Sequence, residues 1–202
     1  MIYGIKPYPK DDVLRNKENK DSIVAVLFGG FDSSSRYKCS TYLFELCSKI
    51  DHSAVRELIV ADPYVNDEYS SDYVDLKDSI QYDKKWMEEA NIVSFYFSKG
   101  RSNSISFFEL GYLFGNKELL KDKNVIISFE EGFNEDKMNI IMEYITSLDF
   151  MNPSLDMGNI NVVEGLTILK NSNPYEHAKQ IFRVYANLIK YCIDGIIVDD
   201  TN

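Results

Sequence analysis

The sequence predicts an α/β fold with about five mostly parallel strands and helices on both faces of the sheet. Three observations predict it. Apolar runs of strand length, rich in β-branched and aromatic residues, recur along the chain. Stretches with helical periodicity lie between them, so the elements alternate as βαβ units. The runs end in turn residues such as Gly29-Gly30 and Asp62-Pro63. At 202 residues and 45% hydrophobic content the chain can bury one substantial core.

Residues 1–21 read as an N-terminal extension: a short apolar start, Pro7 and Pro9, then the charged run Lys10–Asp21. A single domain follows over residues 22–202. Ser22–Phe28 is the first buried strand. It ends at Gly29-Gly30-Phe31, and Arg36–Ile50 carries helical periodicity through Tyr42, Leu43, Leu46, Cys47 and Ile50. A strand, a Gly-rich turn and a helix form a place where backbone N–H groups can face a ligand or its phosphate. The turn matches neither dinucleotide nor Walker glycine spacing. Glu57–Ala61 is a second strand, ending at Asp62-Pro63-Tyr64, and the acidic, Tyr-rich Val65–Asp75 reads as a loop. A helix over Leu76–Glu89 contains Asp83 and the only tryptophan, Trp86, a core residue.

Asn91–Phe97 is the next buried strand, and after the loop Lys99–Ser102 a helix opened by Ser or Asn runs to Gly115. This helix is apolar nearly all round, which predicts burial. Within it Glu109 sits among Phe107, Phe108, Leu110, Tyr112 and Leu113. A carboxylate there is either a solvated helix-edge residue or a group held for chemistry, because burying a charge without purpose is costly. Asn124–Phe129 is a further strand, Asn134–Leu148 an amphipathic helix, and Ile160–Val163 a short last strand. Pro174–Asp194 is a long helix, with Pro at its first turn. Its stripe of Ile181, Phe182, Tyr185, Leu188, Ile189 and Cys192 docks it on the sheet or on another subunit.

The architecture is flavodoxin-like or Rossmann-like, with three layers, and ligands bind outside the C-terminal strand ends of such sheets. Those ends are Gly29–Asp32, Asp62–Tyr64, Ser98–Ser104 and Glu130–Asn134. The net charge of −10 argues against nonspecific binding to nucleic acid or anionic membranes. Cys39, Cys47 and Cys192 have no metal spacing and fit a reducing compartment, and neither His52 nor His177 has a ligand-spaced partner. No stretch approaches a transmembrane span and no signal segment opens the chain, so a cytoplasmic protein without a metal is expected.

Three segments resemble the nucleoside 2-deoxyribosyltransferase family and the related deoxynucleotide N-glycosidases. The first is Gly29-Gly30-Phe31 after strand one. The second spans Asp83, seven residues before Ala90, to Glu109-Leu110-Gly111. The third is Lys137–Ile141, similar to a family segment whose Asn reaches into a neighbouring subunit's site. Together they cover residues 22–146. The resemblance implies that Glu109 is the nucleophile on C1′ of a 2′-deoxynucleoside and that Asp83 moves the proton of the leaving base. It implies that Asn139 bonds the sugar hydroxyl across a dimer interface and that Phe31 packs on base or sugar. Gly29 and Gly30 allow close backbone approach, and Asp62, Asn103 and Ser104 complete the substrate-binding rim. No cofactor is implied, and the partner is a small nucleoside or nucleotide in a homo-oligomer with shared sites.

Asn103 stands where the family often carries a base-contacting Asp, and Phe107 and Phe108 are bulkier than the small residues common there. Arg101 is either a solvated loop residue or a partner for an anionic group such as a 5′-phosphate. Two other readings stay open on these residues. One is an NAD-cleaving N-glycosidase similar to TIR domains. The other is a nucleotide-binding sensor without turnover.

Overall fold

The computed structural model describes residues 3–6, 22–30, 33–49, 58–61, 76–148, 156–157, 160–163 and 165–190. Its strands are β1 (Tyr3–Lys6), β2 (Ile23–Gly29), β3 (Leu58–Ala61), β4 (Ile92–Phe97), β5 (Asn124–Glu130), β6 (Asp156–Met157), β7 (Ile160–Val163) and β8 (Leu166–Ser172). Its helices are α1 (Ser33–Cys47), α2 (Leu76–Glu89), α3 (Ser104–Gly115), α4 (Lys117–Leu120), α5 (Glu135–Thr146) and α6 (Pro174–Lys190).

The strands form one sheet in the order β1-β3-β2-β4-β5-β8-β7-β6. From β3 to β8 five strands run parallel, in the flavodoxin-like order 2-1-3-4-5. β1 extends this block in parallel at one edge, and β7 and β6 extend it antiparallel at the other. The chain leaves β2 toward β3, crosses back to β4, and then proceeds through β5 to β8. A constant crossover hand puts the connecting helices of the two directions on opposite faces.

The side chains follow this division. Val26, Phe28, Val93, Phe95, Phe97, Val125, Ile127 and Phe129 point to one face, where α2, α3 and α5 cover them. Ile23, Ala25, Leu27, Ile92, Tyr96 and Ile126 point to the other, under α1 and α6. Successive strand residues alternate between two buried faces, which is why the runs read as continuously apolar in sequence. Trp86 is core, as expected. The buried thiols of Cys39 and Cys47 fill α1's inner face, and burial pushes Cys47 up to about 12, which leaves it inert. Among the described residues no helix is long and apolar enough to cross a membrane.

Three sequence expectations are corrected here. Ile160–Val163 is an antiparallel strand, and the fifth parallel strand is Leu166–Ser172. Gly165, at a φ of 77°, turns the chain between them, so a short run and its successor form a hairpin. Tyr3–Lys6, in the expected extension, pairs with β3; residues 7–21 lie outside the described residues, as does the expected Tyr-rich loop. The helix with Glu109 is not buried all round: Ile105 is exposed and Phe108 is 81% exposed. The long C-terminal helix docks on the sheet through Ala178, Ile181, Phe182, Tyr185 and Ile189.

On the inner face of α6, His177 is fully buried, with Nδ1 2.7 Å from Ser128 Oγ on β5. Burial pushes the imidazole down to about 3. The folded protein therefore keeps it neutral, while the unfolded chain takes up a proton as pH falls below about 6.5. Stability from this residue is complete above that pH and is lost toward pH 3. His177→Gln removes the effect. Urea unfolding from pH 7 to pH 4 is expected to show wild type losing ground to the variant by up to about 1.4 kcal/mol per pH unit below pH 6.

Candidate active site

Two helices bring two acids together because both acids lie on core-facing stripes. On α2 the buried positions are Asp83, Trp86 and Met87, continued by Ala90. On α3 they are Ser106, Glu109, Leu110, Leu113 and Phe114. Each set has the i, i+3, i+4 spacing of an inward helical face. Both helices begin at the C-terminal edge of the sheet. α3 is seated by Phe107, whose ring stacks on Phe97 of β4 with centroids 5.1 Å apart, within a run of rings that continues to Phe129 at 5.4 Å.

Asp83 is 6% exposed and Glu109 7%, and their side chains are hydrogen-bonded to each other. A hydrogen bond between two carboxyl groups needs a proton on one of them. Burial pushes Asp83 up to about 6, and the bond with Glu109 opposes that rise only in part. Burial thus keeps Asp83 protonated well above the ordinary carboxylate range, and the two bonded acids titrate as a coupled pair. Beside it, Lys84 Nζ lies 4.5 Å from the centre of the Tyr112 ring. This is a second contact between α2 and α3, one residue beyond Asp83 and three beyond Glu109.

At the C-terminal edge, the strand order reverses between β2 and β4. Gly29 pairs with Tyr96 and has a φ of 126°, and any Cβ there would run into the Tyr96 carbonyl oxygen. At Gly30 a Cβ would collide with Asn103 Oδ1, and Arg101 Cβ would stand 3.2 Å away. Asn103 is 8% exposed and adopts the left-handed region, with a φ of 51°. Its Nδ2 donates to the carbonyls of Ser98 and Arg101, each at 3.0 Å, which fixes the amide and turns Oδ1 toward Gly30. That oxygen and Ser98 Oγ are buried without a hydrogen-bond partner among the described residues. The Asn103 side chain does not cap α3; Ser102 Oγ accepts from Ser104 N at 3.2 Å instead.

Glu109 and Asp83 thus meet, and Gly29, Gly30 and Asn103 converge at the switch point beside α3's first turn. Ser104 is the exposed first residue of α3, its Oγ 2.6 Å from Ser102 Oγ. Asn139 is exposed on α5 and joins neither group through a described contact. Phe31 and Asp62 lie outside the described residues. Sequence reasoning placed Ser98 on the rim without giving it a role, and it missed the Lys84–Tyr112 contact. Ser98's position immediately after a buried strand was the available signal, whereas a contact between helices leaves no mark in sequence spacing. No protein-family model matches the chain, and no curated protein sequence matches it.

Keeping Asp83 near 6 when an unfolded Asp titrates near 3.9 has a thermodynamic consequence. Below the unfolded value both states are protonated and nothing is lost; as pH rises through about 6 the folded state must ionise a buried acid. Asp83→Asn keeps a hydrogen-bonding side chain without that ionisation. It is expected to raise unfolding stability by about 2 kcal/mol at pH 8 and to leave it nearly unchanged at pH 4, measured by urea denaturation.

Proposed function

We propose that the protein cleaves the N-glycosidic bond of a 2′-deoxynucleoside or its 5′-monophosphate and passes the deoxyribosyl group to another base or to water. The observation that carries this reading is the hydrogen bond between two buried carboxyl groups, Asp83 and Glu109, on adjacent helices that both start from the C-terminal edge of the sheet. A pair with one proton supplies one ionised carboxylate and one acid. Those are the two groups that a retaining glycosyl transfer requires.

The bond with Glu109 favours ionised Asp83, so in this mechanism the shared proton passes to Asp83 as Glu109 engages C1′. A Glu109 oxygen bonds to C1′ as the bond from C1′ to the base nitrogen breaks, and the electron pair of that bond goes to the base. Asp83 gives its proton to the departing base, which is a poor leaving group as an anion. The result is a glycosyl ester on Glu109. An acceptor base or water then attacks C1′, Asp83 takes its proton, and Glu109 leaves as carboxylate. Two displacements on C1′ give net retention. Nothing in these steps calls for a cofactor.

The three resembling segments support the same reading, and they extend it to a cytoplasmic homo-oligomer in which Asn139 of a second copy reaches the sugar. An exposed Asn139 on the outward side of α5 is compatible with that role. Exposed Ile105, Phe108 and Ile140 give α3 and α5 apolar surface of the kind that copies of a chain cover.

Chromatography of products from a panel of deoxynucleosides and their monophosphates, with and without a free base, tests the reaction. Base release or exchange is expected in wild type. Glu109→Gln is expected to lower it by on the order of 10³-fold or more, and Asp83→Asn by roughly 10²-fold or more. The kcat/KM is expected to fall as pH rises through about 6, where the pair loses its proton. Undiminished turnover in Glu109→Gln would refute the assignment.

A further inference from the structure

We infer that Asn103 is a positioning residue: its side-chain nitrogen locks the start of α3 to the end of β4, and through that helix it sets where Glu109 lies against Asp83. The activity readouts of this inference rest on the function proposed above, and its structural readouts do not.

The backbone of Asn103 already serves α3, because its carbonyl accepts a helical bond from Phe107 N at 3.1 Å. Its side chain reaches the other way. Nδ2 donates to the carbonyl of Ser98, the residue after β4, and to that of Arg101 inside the loop, each at 3.0 Å. One amide nitrogen thus ties strand end, loop and helix start together. The residue is buried and has a φ of 51°, a conformation that Asn tolerates better than most. The other end of the loop is anchored separately, by Lys99 N donating to Glu130 Oε2 at 2.7 Å.

The oxygen of the same amide makes no hydrogen bond among the described residues and faces Gly30. Both ties therefore run through nitrogen. A carboxylate of the same shape would set its oxygens against two carbonyl oxygens. The Gly30 contact acts as a stop. A Cβ there would collide with Asn103 Oδ1 and come within 2.7 Å of Cγ, and the two amide bonds keep that side chain from withdrawing. Gly30 is not in the left-handed region, so what excludes a side chain is this collision, together with the tight approach of Arg101 Cβ.

Two contacts hold the start of α3 to the strand: this amide, and the Phe107 ring on Phe97 at 5.1 Å between centroids. Stacked rings slide and tilt at little cost, whereas hydrogen bonds to fixed carbonyls are directional. Without the amide, the rings alone locate the helix start, and Glu109, six residues on, loses its register against α2. A misplacement of about 1 Å is enough to slow a reaction about a hundredfold.

The test uses Asn103→Gly, Asn103→Asp and Gly30→Ala in the full chain, with deoxynucleosides of different bases as substrates. Asn103→Gly accepts the backbone conformation and removes the amide, while Asn103→Asp keeps the shape and removes the donor. Both are expected to lower kcat at pH 7 by about tenfold or more, by the same factor for every base, with KM nearly unchanged. In Asn103→Asp the loss relative to wild type is expected to shrink toward pH 5, where the introduced carboxyl gains a proton and can donate one bond. Gly30→Ala is expected to lower kcat and Tm in the wild-type background and to do far less in Asn103→Gly, where the group it collides with is gone. The Asp83 titration step near pH 6 is expected to move in Asn103→Gly, as Glu109 shifts beside it. Should Asn103→Gly not fold, Asn103→Asp decides.

An altered ranking of bases in Asn103→Asp, or a raised KM at constant kcat, would make Asn103 a ligand contact and overturn the proposal. Unchanged kcat in Asn103→Gly, with or without a lower Tm, overturns it too, as do fully additive losses from Asn103→Gly and Gly30→Ala. If wild type cleaves no nucleoside, the proposed reaction fails. The Tm coupling with Gly30→Ala and the Asp83 titration then decide the lock by themselves.

Discussion

One hydrogen bond in this structure is of a kind that a hydrophobic core would ordinarily exclude, and the candidate site depends on it. Asp83 and Glu109 occupy helix positions whose neighbours on the same stripe are Trp86, Met87, Leu110 and Leu113. Ionising both acids there would set two like charges side by side in a medium that screens them poorly. One shared proton removes that conflict: one acid donates, the other accepts, and the pair is tolerated at a cost that appears only when the proton leaves. A fold that keeps such a pair forgoes the stability an apolar or amide replacement would bring. Such a pair marks a candidate site, the one on which the proposed reaction rests.

Topology gives the sheet a switch point. The strand order reverses between β2 and β4, so α1 leaves one side of the sheet and α3 the other. The gap between these departures is where open α/β sheets bind ligands. Gly29 and Gly30 let the two loops approach closely at this point, and Asn103 braces the loop of α3 by its two amide hydrogen bonds. The Phe97–Phe107 stack then sets the start of α3 on β4. Glu109 follows on the second turn of that helix, facing α2.

Much of this was legible in the sequence, for identifiable reasons. Strands buried on both faces read as continuous apolar runs, so β2, β4 and β5 could be placed within a residue or so. The inward position of Asp83 was present in the spacing to Trp86 and Met87, although Lys84 and Lys85 beside it suggest a surface helix. β8 was hidden because Lys170 and Asn171 dilute its apolar pattern and because β7, just before it, looks like a complete last strand. The exposure of Phe108 was invisible, since a pattern of apolar residues records what can be buried and not which face of a helix has something to meet. Asn103 carried a polar site signal, but its backbone role depends on a left-handed φ that no spacing reveals.

The most direct test of the account is the titration of the two carboxyl carbons themselves, by ¹³C NMR of protein labelled at Asp and Glu side chains, with Asp83→Asn and Glu109→Gln used for assignment. The account predicts that the resonances of Asp83 and Glu109 move together, with a macroscopic step near pH 6. Two independent titrations near the ordinary values of about 4 would contradict it, because acids that ionise separately share no proton.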